Sequence, residues 1–157
     1  MRIIMKICQY LDSELIIPNL KSQNKEGVLT ELAEVISSRN PGLMMGEILQ
    51  VLLERERLGS TGIGEGFAIP HGKMKDMDQM VIAFGRSLQG VAFDSMDGKA
   101  AYYFFVLLAP EDSAALHLKA LAKISRFLKN SVFKESLARA SDRDELQKVI
   151  QEQDELN

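Results

Sequence analysis

The chain has 157 residues, 46% of them hydrophobic, which is enough for one ordinary domain (residues 1–157) to bury a core without disulfide or metal staples. Its 19 basic and 22 acidic residues are mixed along the chain and leave a net charge of -3, so no basic face for nucleic acid is expected. Cys8 is the single cysteine, which excludes an internal disulfide and a cysteine-based metal cluster and fits a reducing compartment.

At the N-terminus Ile3, Ile4, Met5 and Ile7 are apolar, but Lys6 interrupts them and no small-residue cleavage pattern follows, so no signal peptide is predicted. Over residues 26–38, Val28, Leu29, Leu32, Val35 and Ile36 recur at helical spacing, and Asn40, Pro41 and Gly42 supply a stop. A second amphipathic helix is expected over residues 46–58, with Ile48, Leu49, Leu52 and Leu53 inward and Glu54, Arg55, Glu56 and Arg57 closing it.

Residues 59–72 are dense in glycine around Phe67, Ala68 and Ile69, and predict a largely irregular segment with one short strand at most. Residues 80–84 and 102–108 are apolar almost throughout, as in strands covered on both faces. The longest apolar run, residues 100–110, falls far short of the roughly 20 residues a membrane-spanning helix needs, so no insertion into a membrane is expected.

Asp112 or Ser113 offers an N-cap for a helix whose inward stripe holds Ala114, His117, Leu121, Ile124 and Leu128. Two more helices follow: one over residues 132–139, and one opened by Ser141 with Leu146, Val149 and Ile150 inward. The polar end, residues 151–157, is expected to fray. Strand, short loop and helix in this order make an α/β unit. Phe104, Phe105 and the methionines Met44, Met45, Met74, Met77 and Met80 are read as core or as adaptable apolar contact surface, with only the methionines near His71 as candidates for a partner-docking patch.

Chemistry concentrates in the glycine-rich segment. Gly59, Ser60, Thr61, Gly62, Gly64, Gly66 and Gly72 surround Pro70-His71, and such a loop can bring backbone N–H groups close to an anion. The Walker and dinucleotide spacings are both absent, which sets ATP and NAD aside. A neutral imidazole is a good nucleophile near neutral pH and can carry a phosphoryl group on one nitrogen while the other is held. His117 is either a satisfied core histidine or a second imidazole aimed at the site from near a helix N-terminus. Arg55, at the margin of its helix's apolar face, can reach an anion there, whereas Arg57 should be solvated. Glu65 either orients an imidazole or faces water. The residues alone also leave open an anion-binding module without group transfer.

The run Gly59-Ser60-Thr61-Gly62-Ile63-Gly64-Glu65-Gly66-Phe67-Ala68-Ile69-Pro70-His71-Gly72-Lys73 resembles the phosphorylation-site motif of the enzyme IIA family of the fructose/mannitol class in the bacterial sugar phosphotransferase system. Arg55, sixteen residues before His71, and His117, forty-six after it, fit the same resemblance. It implies an α/β domain with a mixed sheet flanked by helices on both faces. It further implies a cytoplasmic carrier whose His71 accepts phosphate from a histidine phosphocarrier protein, with Arg55 and His117 holding the phosphoryl group and Glu65 beside it. The acceptor would be a IIB component or a regulated target protein, and neither metal nor cofactor is expected. The Ser60-Thr61-Gly62-Ile63-Gly64 run looks like the nitrogen-regulatory branch, while Glu65 is more similar to the sugar-transport type.

Overall fold

The computed structural model describes residues 5–156; Ile3, Ile4 and Asn157 lie outside the described residues. Two 3₁₀ turns, Ile7–Gln9 and Ser13–Leu15, lead into strand β1 (Ile16–Ile17). Helices α1 (Lys25–Arg39) and α2 (Met45–Arg57) follow, then the short strands β2 (Gly62–Gly64), β3 (Phe67–Ala68) and β4 (His71–Met74). The long strands β5 (Val81–Val91) and β6 (Ala101–Pro110) precede α3 (Ala114–Phe127), α4 (Ser131–Arg139) and α5 (Arg143–Leu156).

The sheet is mixed, in the order β1, β5, β6, β3, β2, with β4 also pairing with β6 beyond β3. β5 and β6 are antiparallel, while β3 and β4 run parallel to β6 on its other side. Residues 81–87 and 103–110 are buried without alternation, so helices cover both faces at the centre of the sheet. Phe84 and Phe105 meet across β5 and β6 with ring centroids 4.9 Å apart, and Phe127 of α3 packs on Phe105 from above. The α/β fold and mixed sheet agree with expectation, and no described helix is long and apolar enough to cross a membrane.

Three expectations need correction. The glycine-rich segment is not largely irregular: it contains three short strands, because β6 offers it a hydrogen-bonding edge that sequence periodicity does not reveal. β5 runs on to Val91, seven residues past the strand expected over residues 80–84. Arg86 is 3% exposed and has three backbone oxygens for its guanidinium: Pro18 at 3.0 Å, Leu137 at 2.9 Å and Ala140 at 2.6 Å. The last two lie at the C-terminal end of α4, where a cation is favoured by the helix dipole.

The third correction concerns the tail, which does not fray. α5 continues to Leu156, and Asp154 is 2% exposed. Its carboxylate accepts the Ile7 and Cys8 backbone N–H groups, each at 3.0 Å, and pairs with Lys123 of α3 at 2.8 Å. α5 also opens one residue later than Ser141 suggests: Asp142 accepts the Glu145 N–H at 2.9 Å, and Glu145 accepts that of Ser141. Beside Asp154, burial and the carboxylate push the Cys8 thiol up to about 12, so it stays a protonated packing group.

Candidate active site

The register of β4 on β6 places His71 opposite Leu107 and Met74 opposite Pro110, so His71 lies beside the strand whose chain continues directly into α3. His117 is on the first turn of that helix, facing back over the sheet. From the other side α2 packs against β4 closely: a Cβ on Gly72 would lie 2.3 Å from Cγ1 of Val51. That contact is the physical reason for a glycine after His71. It lets the last turn of α2 bring Arg55 onto the imidazole.

Arg55 Nε donates to Nε2 of His71 at 3.2 Å, and Nδ1 of His71 lies 2.8 Å from the Ile69 carbonyl oxygen. A carbonyl can only accept, so the proton sits on Nδ1 and Nε2 keeps its lone pair. The rings of His71 and His117 stand edge to face with centroids 5.3 Å apart. His117 is 5% exposed, and its Nδ1 has no hydrogen-bond partner among the described residues. Arg55, His71, Gly72, Lys73 and His117 line one open cleft rimmed by Val51, Leu58, Leu118 and Leu121. Leu58 and Leu118 are 84% and 66% exposed, so the apolar rim is made by leucines. The methionines expected to supply a contact surface do not line the cleft: Met74 and Met80 are buried and Met77 is partly buried.

The rest of the predicted set is elsewhere. Gly62, Gly64 and Gly66 belong to a hairpin, β2 against β3, whose turn needs positive φ at Gly64, Glu65 and Gly66. Glu65 is exposed on this turn, donates its N–H to Asp97 at 3.0 Å, and lines a separate hollow with Lys99, Tyr102 and Lys134. The structure does not bring it to the imidazole. Ser60 donates to the Phe93 carbonyl, Thr61 bonds to Glu56, and the Gly59 carbonyl accepts Nη1 of Arg55 at 2.8 Å. The glycines therefore shape the backbone and hold Arg55; of them, only Gly72 lines the cleft. Arg57 is exposed, as expected. Lys73 was missed: alternation along a strand puts it on the same face as His71, a signal available from spacing once β4 is known to be a strand.

Both imidazoles are held below the ordinary histidine value of 6.5. For His71 burial dominates and Arg55 adds to it, against the Ile69 carbonyl and Glu56. For His117 burial again leads, helped by His71 and Lys73, and brings the ring to about 4. Protons therefore bind the unfolded rings more readily than the folded ones. Stability should decline as pH falls below 6.5 and through the folded values, the reverse of a histidine that gains an anionic partner. NMR titration of the two rings should give a midpoint below 6.5 for His71 and a lower one, about 4, for His117. A His71 midpoint above 6.5 would contradict this arrangement.

Comparison with known proteins agrees with this geometry. Residues 9–153 match the family described as the phosphoenolpyruvate-dependent sugar phosphotransferase system, EIIA 2. A nitrogen regulatory protein of Bradyrhizobium diazoefficiens is 38% identical over 146 residues, covering 93% of this chain and 95% of that protein. The fructose-specific EIIABC component of Bacillus subtilis is 35% identical over 150 residues, covering 96% of this chain but only 24% of that longer protein. Among solved structures, the nitrogen regulatory protein IIA-Ntr of Neisseria meningitidis superposes with a TM-score of 0.86 at 32% identity, covering 92% of this chain and 98% of that one. With a match that spans nearly the whole fold and takes in both histidines, the chain belongs to the type 2 EIIA family of the phosphoenolpyruvate-dependent sugar phosphotransferase system.

Proposed function

We propose that this protein is a cytoplasmic phosphoryl carrier that accepts a phosphoryl group on Nε2 of His71 from a histidine phosphocarrier protein. The observation that carries the reading is the split role of the two ring nitrogens, with Nδ1–H committed to the Ile69 carbonyl and the Nε2 lone pair turned to the cleft, where it accepts only from Arg55. The Nε2 lone pair attacks phosphorus in line, and the bond from phosphorus to the donor's imidazole nitrogen breaks. The electron pair returns to the donor ring, which leaves neutral. His71 then carries the positive charge of a phosphorylated ring, which strengthens its bond to Ile69.

The transferring group spreads its charge over three equatorial oxygens. Arg55, displaced from Nε2 by the new bond, is within reach of them, and Lys73 contributes a second cation. His117 is neutral before transfer because of burial and its neighbours. A dianion beside it favours the protonated ring, so it becomes a donor as the phosphoryl group arrives. The exposed leucines around the cleft give the donor protein an apolar surface that excludes water from the transfer.

Incubation with phosphoenolpyruvate, enzyme I and a histidine phosphocarrier protein should add one acid-labile phosphoryl group by intact mass. Arg55→Ala should lower the single-turnover rate about 100-fold, the typical loss of one oriented charge-stabilising donor. Absence of an adduct with several such donors would overturn the carrier reading.

The downstream role is proposed to be metabolic regulation, in keeping with the end-to-end similarity to a nitrogen regulatory protein. A second reading, delivery of phosphate to a IIB component for sugar uptake, is favoured by the similarity to a fructose-specific EIIABC component. Transfer from the phosphorylated protein to a purified IIB partner separates them. Phosphate that stays on His71 in the presence of IIB fits regulation, and rapid loss to IIB fits transport.

A further inference from the structure

The last turn of α2 carries two adjacent charges that go to different places. Arg55 faces the cleft, whereas Glu56, one of the charged residues that close the helix, is 8% exposed. Its carboxylate accepts the Thr61 N–H at 3.1 Å and the Thr61 hydroxyl, and pairs with Lys25 at 3.1 Å. Lys25 is itself held over the Phe93 ring, 4.7 Å from its centroid, and reaches Asp94 at 3.3 Å. A carboxylate at the C-terminal end of a helix opposes the helix dipole, and burial adds a desolvation cost. Three converging donors offset both.

Thr61 connects this cluster to His71. Its carbonyl accepts the Ile69 N–H at 3.0 Å, and the Ile69 carbonyl accepts Nδ1–H of His71 at 2.8 Å. On the opposite side Arg55 reaches Nε2 at 3.2 Å and is held by the Gly59 carbonyl at 2.8 Å. Both ring nitrogens are thus governed from the short span 55–61. Glu56 is the side chain that fastens the far end of that span back onto α2.

Resting on the phosphoryl-carrier reading, we infer that Glu56 is a positioning residue for His71: by clamping Thr61 to the end of α2 it fixes both the Ile69 carbonyl that sets the ring's tautomer and the Gly59 carbonyl that orients Arg55. Glu56 contacts neither the imidazole nor the transferred group. A carboxylate is needed because every partner is a donor. The amide of glutamine offers one acceptor oxygen and turns its own N–H₂ toward a group that can only donate, the Lys25 ammonium or the Thr61 backbone N–H. The negative charge also favours a proton on the His71 ring, in keeping with the ring's changing charge during transfer.

The test uses the full chain with Glu56→Ala, and with Thr61→Val as a variant of nearly the same shape that removes only the hydroxyl. Two quantities are read: ring ¹⁵N shifts of His71, which report the tautomer, and single-turnover transfer from a phosphorylated histidine phosphocarrier protein over a range of donor concentrations. In Glu56→Ala the single Nδ1–H tautomer should become a mixture. The limiting rate should fall about 10- to 100-fold, as expected for a misoriented nucleophile, with the donor half-saturation held within about twofold. Thr61→Val should shift both readouts in the same direction by less. An unchanged tautomer and limiting rate in folded Glu56→Ala would overturn the assignment, as would an unchanged tautomer in Thr61→Val where the alanine variant does not fold. A raised half-saturation at unchanged limiting rate would also overturn it, since Glu56 would then serve docking. If the wild type takes no phosphoryl group at all, the carrier reading fails, and the ring shifts still decide the clamp.

Discussion

Replacing His71 by alanine should remove phosphoryl acceptance completely while leaving the fold in place. The loss is total because no other group in the cleft can take over. The His117 ring is the only other imidazole, and it is 5% exposed with its titration lowered to about 4. A donor's phosphorus must approach in line with an accessible lone pair, and the His117 ring, although it lines the cleft, is nearly fully buried where His71 is partly exposed. The fold should survive because His71 is only partly buried and loses just two hydrogen bonds, one to the partly exposed Arg55 side chain and one to the backbone carbonyl of the buried Ile69. A destabilisation of about 1 kcal/mol is expected, the usual size for a side chain of this kind. Intact mass after incubation with the donor system, set beside a thermal melt, checks both halves. A residual adduct of wild-type stoichiometry on the alanine variant would move the acceptor to another residue.

The same comparison explains how far the sequence reached. His71, Arg55 and His117 were legible because the elements that carry them are strongly patterned: an apolar stripe on α2, a stripe on α3, and a Pro-His-Gly run between them. Their convergence depends on β4 pairing parallel to β6, which puts His71 opposite Leu107 and next to the strand that leads into α3. The glycine-rich segment misled in one respect. Glycine marks both anion-binding loops and tight hairpins, and here Gly64 and Gly66 serve a turn while Gly72 makes room for Val51. Glu65 was carried by motif position, and the hairpin turns it toward Asp97 and away from the ring.

The residues missed were polar ones buried by long-range contacts. Glu56, Arg86 and Asp154 all look like surface charges from their neighbours in sequence. Their partners lie thirty-one, fifty-one and one hundred and forty-seven residues away, as with Lys25, Leu137 and Ile7. Periodicity says which face of a helix is apolar. It does not say that a charged residue has a set of hydrogen-bond partners waiting for it across the core.

Asp154→Ala should therefore be among the most destabilising single changes in the chain. Removing the carboxylate leaves the Lys123 ammonium, 2% exposed, without its counter-charge and frees the Ile7 and Cys8 N–H groups together. Breaking one side of a buried pair costs about 3–5 kcal/mol, most of it from the stranded partner. Lys123 keeps one acceptor, the Met5 carbonyl at 2.6 Å, which argues for the lower part of that range. Burial by itself would raise the Asp154 carboxyl, but Lys123 and the two backbone donors outweigh it and hold the group below its ordinary 3.8. A group held low in the folded state contributes stability that is present above the unfolded value and is lost as pH falls through the folded one. Urea unfolding of the wild type should accordingly show an acid limb below about pH 4 that is shallower in Asp154→Ala. The consequence reaches the site, because Lys123 lies on α3, the helix that carries His117, and Asp154 ties that helix to α5 and to the N-terminal turn. Lys123→Met combined with Asp154→Leu removes both charges and should recover much of the stability lost in Asp154→Ala, as replacing a whole buried pair does elsewhere. If the double variant is less stable than Asp154→Ala, the pair is a net source of stability, and the stranded-charge account of its cost is wrong.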